Sequence, residues 1–99
     1  MSEQKKAQPV QIQIQVDDDI AQGVYANLAM VNHNDAEFTL DFIFVQPQAP
    51  VAKVRSRVIT SPRHMKRLAM ALQENIARYE ARFGEIDPSN APEPGEYKH

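Results

Sequence analysis

The sequence predicts an α+β fold: a four-stranded antiparallel β-meander, then one long C-terminal α-helix, with disordered tails at both ends. Three observations predict it. Four segments alternate apolar and polar residues with period two, the pattern of half-buried strands. After Ser61-Pro62 the apolar period changes to that of a helix. The two ends of the chain are polar or proline-rich and carry neither period.

The elements follow in order. Residues 1–8, MSEQKKAQ, read as a flexible tail. The first strand is Val10-Gln-Ile-Gln-Ile-Gln-Val16, a strict alternation closed by Asp17-Asp18-Asp19 and Gly23. The second runs from Val24 to Asn32, with Val24, Ala26, Leu28 and Met30 on one face. Asn32-His33-Asn34-Asp35 is a turn signal, because Asn and Asp side chains bond their own backbone. The third strand is Glu37 to Val45, with Phe38, Leu40, Phe42 and Phe44 facing inward. The fourth is Ala52 to Thr60, with Ala52, Val54 and Val58 facing inward. Every inward residue is even-numbered. Pairing Val16 with Val24, Leu28 with Phe42 and Asp41 with Arg55 would gather them on one face.

Ser61 at the N-cap and Pro62 at the first helical position start the helix. Met65, Leu68, Leu72, Ile76, Tyr79 and Phe83 form one stripe along it, and Gly84 supplies the stop. Such a helix is ~33 Å long. Residues 9–86 then make a single domain, and residues 87–99 a second flexible tail with three of the seven prolines.

The helix is expected to lie over the even-numbered face. A helix is ~10–12 Å across, whereas four strands at ~4.8 Å spacing make a wider sheet. One helix leaves about half of the phenylalanine-rich face wet, and each large apolar side chain left there forfeits ~1.5–3 kcal/mol. A homodimer, with a second helix from another copy, is the economical remedy. The stripe Met65, Leu68, Leu72, Ile76, Tyr79 and Phe83 is its expected interface.

Net charge is -2, yet six of the 11 lysines and arginines fall between Lys53 and Arg67, and no Asp or Glu lies between Asp41 and Glu74. Strand alternation puts Lys53, Arg55 and Arg57 on the face away from the helix, where Asp41 offers an ordinary cross-strand partner. At the helix start, cations oppose the macrodipole, and a bound anion would reverse that penalty. Ser61, Arg63, His64, Lys66 and Arg67 are therefore the residues of an anion or nucleic-acid contact, the runner-up reading.

Other chemistry finds little in the sequence. No cysteine is present, which removes disulfides and thiolate metal sites. Asp17-Asp18-Asp19 lacks the alternate ligands, glycine and distal Glu of a calcium loop. His33, His64 and His99 have no local metal-ligand spacing. Three glycines form no phosphate loop. The expectation is no catalytic, cofactor or metal residue. No signal peptide or membrane span is readable, so a cytoplasmic protein is expected. The leading reading is a non-enzymatic homo-oligomeric interaction or scaffolding module with room for a protein partner.

The hairpin YANLAMVNHNDAEFTLDF and the junction VITSPRHMKRLAMALQENI resemble a small bacterial family labelled domain of unknown function 3467. The likeness covers about residues 9 to 86. It implies no activity and no site residues.

Overall fold

The computed structural model describes residues 9–48 and 51–90. The residue 1–8 tail and most of the residue 87–99 tail lie outside the described residues. The element order is α1 (Asp18–Ala21), β1 (Leu28–His33), β2 (Phe38–Val45), β3 (Ala52–Thr60) and α2 (Pro62–Phe83), then a 3-10 turn at Pro88–Asn90. The sheet is antiparallel in the order β1-β2-β3. It is a three-stranded meander followed by a long helix, one strand short of the expected four.

The missing strand is Val10–Val16. It joins no sheet, and Val10, Ile12 and Ile14 are 81%, 79% and 86% exposed. Alternation reports that one side of a segment wants cover, but it does not name the partner that gives it. The segment that follows departs from a hairpin turn. Asp17 accepts from the N–H groups of Ile20 and Ala21 at 3.0 and 2.8 Å, closing the helical turn α1. Gly23 then takes φ 79°, a left-handed geometry that suits a residue without Cβ. The next strand begins at Leu28, not Val24, because Asn27 ends the ladder. Its Nδ2 donates to the Val45 carbonyl at 3.1 Å, and the Val45 N–H donates to its Oδ1 at 2.9 Å.

The β1–β2 hairpin has a four-residue loop, Asn34 to Glu37. Asn34 Oδ1 accepts from the N–H groups of Ala36 and Glu37, both at 2.8 Å, and the Asn34 N–H donates to the Glu37 carbonyl at 3.0 Å. A loop of even length places His33 opposite Phe38 and Leu28 opposite Ile43. The expected pairing of Leu28 with Phe42 is therefore off by one residue, and β1 is turned over relative to β2. Between β2 and β3, Phe38 pairs with Thr60 and Leu40 with Val58, which does keep even-numbered residues together. A bulge follows: Phe42 pairs with Ser56 and Ile43 with Val54, so Arg55 is the extra residue. Ahead of the bulge, in the register set by Phe38 and Thr60, Asp41 faces Arg57, not Arg55.

The result is a sheet apolar on both sides. One face carries Phe38, Leu40, Phe42 and Phe44, beside Ala29, Val31 and Val58. The other carries Ile43 and Val45 beside Leu28, Met30, Val54 and Ile59, around Asp41. Among the described residues the buried apolar ones, Leu40 and Ile43, sit on opposite faces. Neither face has the helix over it as expected. No residue of α2 is buried; Met65 and Leu68 near its start are half-buried, and the stripe beyond them is exposed.

At the far end, Gly84 donates to the Glu80 carbonyl at 3.0 Å with φ 106°. Glu80 Oε2 then accepts the Ile86 N–H at 3.0 Å, folding the exit back on the last turn. Ser89 donates to Asp87 Oδ1 through its hydroxyl at 2.6 Å and its N–H at 2.9 Å. These bonds hold the Asp87 carboxyl below its usual range. Their contribution is therefore complete above the ordinary carboxylate value and is lost as pH falls through the lowered one.

Candidate interaction surface

The α2 stripe is the largest exposed apolar feature of the helix. Its start is fixed locally: Ser61 Oγ accepts the His64 N–H at 3.1 Å, and Pro62 occupies the first helical position. From there the i, i+3 and i, i+4 spacings bring Met65, Leu68, Leu72, Ile76, Tyr79 and Phe83 to one side. Leu72, Ile76, Tyr79 and Phe83 are 53%, 47%, 50% and 64% exposed. The last two form an aromatic pair with ring centroids 5.0 Å apart, and the Arg82 guanidinium lies 5.2 Å from the Phe83 ring centre. A stripe of this length in water is unusual for a helix of a soluble domain, whose apolar side faces a core.

The sheet's phenylalanine face matches it in chemistry. Phe38, Phe42 and Phe44 are only half-buried, and Val31 and Val58 beside them are exposed. Two rings are held at its borders. His33 stacks on Phe38 at 5.2 Å, and Tyr25 meets Phe44 edge-on at 6.0 Å.

The opposite face is organised around an ion pair. Arg57 Nε donates to Asp41 Oδ1 at 2.7 Å and Arg57 Nη2 to Oδ2 at 2.9 Å, a two-pronged match of fork to carboxylate. Asp41 is 1% exposed, whereas the Arg57 side chain is 59% exposed. The hydrogen bond to Asp41 and then its charge raise the Arg57 guanidinium above its ordinary value. The burial is asymmetric, so the two deletions are not equivalent. Removing Arg57 strips a buried carboxylate of this cation, while removing Asp41 frees a guanidinium that water already reaches. Arg57→Ala is expected to lower the urea midpoint more than Asp41→Leu, as paired denaturation curves will show.

The six clustered cations do not converge. Arg57 is engaged with Asp41, and Lys53, past the bulge, pairs with Phe44 and so lies on the phenylalanine face. The expected grouping of Lys53, Arg55 and Arg57 on one face fails at the Arg55 bulge. Phe44, Gln46, Val51, Lys53 and Arg55 border an open depression of about 390 Å³. Ser61, Arg63, His64, Lys66 and Arg67 are all exposed at the helix start, with the Ser61 hydroxyl used in the cap. Among the described residues, no group of three or more His, Asp or Glu side chains could hold a metal ion. No helix among them is long and apolar enough to cross a membrane.

The sequence reading found the α2 stripe and the Asp41 carboxylate. It missed the Asn27 clamp and the turning over of β1, which sets Leu28 and Met30 beside Ile43 and Asp41. The one signal available for the latter was the even length of the Asn34–Glu37 loop.

A family model described as "Protein of unknown function (DUF3467)" matches residues 1–88. The chain belongs to the DUF3467 family. That DUF3467 match spans β1, β2, β3, α2 and the segment Val10–Val16 alike. No curated protein and no solved structure matches this DUF3467 chain.

Proposed function

We propose that this protein is a non-enzymatic, self-assembling interaction module, in which the α2 stripe of one copy covers the phenylalanine face of another in a homodimer. One observation carries the reading: Leu72, Ile76, Tyr79 and Phe83 are about half exposed or more while the sheet's phenylalanines also lack full cover. Ser61 alone separates β3 from α2, so the helix leaves from the strand end with no linker to carry it back over its own sheet. Each large apolar side chain left in water forfeits ~1.5–3 kcal/mol. Covering four that are about half exposed is worth roughly half of four times that, ~3–6 kcal/mol per copy, comparable with the lower end of an ordinary domain's ~5–15 kcal/mol stability. The reading takes apolar surface, not a reacting group, as the functional part. It places the module in the cytoplasm, with which a chain free of cysteine agrees. The test is native mass together with thermal melts over a range of concentration. A mass twice that of the chain and a melting temperature that rises with concentration are expected. A compact monomer melting independently of concentration would refute the reading.

A second reading is favoured by the charge at the helix start. The first turn of α2 has no acidic residue, and among the described residues no ion pair involves Arg63, Lys66 or Arg67. An anionic partner, a polyphosphate or nucleic acid, would meet chiefly these cations, since Pro62 has no N–H and those of His64 and Met65 are taken by Ser61. Amide shifts at Ser61 to Arg67 on adding polyphosphate at low salt, reversed by added salt, are the expected signature. Unchanged shifts would eliminate it.

A further inference from the structure

Val10–Val16 has the residue pattern of a strand and joins no sheet. Val or Ile stands at every even position and Gln at every odd one, with no glycine, proline or charge inside the run. β-branched residues at this period favour a pleated strand over any other state. The apolar side of the segment is among the most exposed apolar surface of the chain.

The sheet has two open edges that differ in their defences. The β3 edge carries Lys53, Arg55 and Arg57 and is broken by the bulge at Arg55. Charge and bulges are the usual protections of an edge that must not pair. β1, Leu28-Ala-Met-Val-Asn-His33, has no Lys, Arg, Asp or Glu, no proline and no bulge. It is an undefended edge of six residues, and the unpaired segment is seven residues long.

We propose that Val10–Val16 of one copy adds as a fourth strand to the outer edge of β1 in a second copy. This rests on the self-association reading above and names a second contact within it. The second copy is the recipient because the connection to β1 is held elsewhere in its own chain. Residues 17–27 are taken up by the α1 turn and Gly23, then anchored at the Val45 end of β2 through Tyr25 and Asn27. That path leaves the segment off its own β1 edge. In a twofold dimer the exchange is reciprocal, so both undefended edges are filled at once.

The chain has no cysteine, so single-cysteine variants of the full chain report contacts without background. Ile12→Cys and Gln13→Cys sample the two sides of the segment. Met30→Cys and Val31→Cys sample the two sides of β1, and Arg55→Cys represents the other edge. Chains purified separately, mixed in pairs and oxidised mildly should give a disulfide-linked dimer between segment and β1 variants, at least tenfold above the yield with Arg55→Cys. The double variant Ile12→Lys/Ile14→Lys, in the otherwise native full chain, should abolish the slowed hydrogen exchange expected at the outward amides of Leu28 to His33. Equal or greater linkage to Arg55→Cys would overturn the proposal. So would linkage found only when both cysteines are in one chain. A dimeric native mass with no segment-to-β1 linkage would overturn the strand exchange and leave the self-association reading standing. A monomeric mass would overturn both.

Discussion

Substituting Leu72 and Ile76 together with lysine is expected to reduce self-association by about 100-fold or more. Both residues lie mid-stripe on α2 and are 53% and 47% exposed in the single chain. If a second copy covers them, each lost burial costs ~1.5–3 kcal/mol, and a factor of ten in affinity is ~1.4 kcal/mol. Two cations added per chain to an apolar contact deepen the loss. If nothing covers them, the same changes are surface substitutions worth within ~0.5 kcal/mol. The outcomes are far enough apart for sedimentation at a single concentration to separate them. Gln73→Lys, also on α2 but off the stripe, should leave the mass unchanged and so controls for the added charge.

Ile43→Ala is expected to act differently, destabilising the fold by ~2–5 kcal/mol through the cavity it opens. Ile43 is 4% exposed within one chain, flanked by Leu28 on β1 and Val54 on β3. Its burial needs no second copy. The loss should appear as a shift in the denaturation midpoint of similar size at every protein concentration. The lysine pair on α2 should instead remove the dependence on concentration. A midpoint shift for Ile43→Ala that disappears on dilution would mean that β1, β2 and β3 do not hold together without a partner.

Much of this architecture can be read from the residues, and the boundary of what can be read has physical causes. The helix was legible end to end because capping is local: Ser61, Pro62 and Gly84 act on backbone groups within a turn of themselves. The strands β2 and β3 were legible because their apolar residues alternate where pairing follows. Val10–Val16 alternates more strictly than either, yet joins no sheet, because a strand's partner is a non-local matter that its own pattern does not encode. The overturned β1 came from loop arithmetic. Four residues between His33 and Phe38 impose an odd-summed register, whatever the apolar pattern prefers. Nothing in Lys53-Val-Arg-Ser-Arg57 marks Arg55 as the bulged residue, and that one insertion put Lys53 on the other face, while Asp41, ahead of the bulge, meets Arg57 in a register two positions from the expected one. The basic cluster shows the same limit. Cations adjacent in sequence are divided among a buried carboxylate, a strand edge and a helix start. The stripe on α2 announced that it wants cover, but which chain supplies the cover is a question of direction, set at Ser61.

That single residue makes α2 a lever. An arm ~33 Å long hinged at one point turns a 10° change at its base into ~6 Å at its tip. A small re-aiming of Thr60 by whatever meets the β3 edge would thus carry the Tyr79–Phe83 ring pair more than a strand's width sideways.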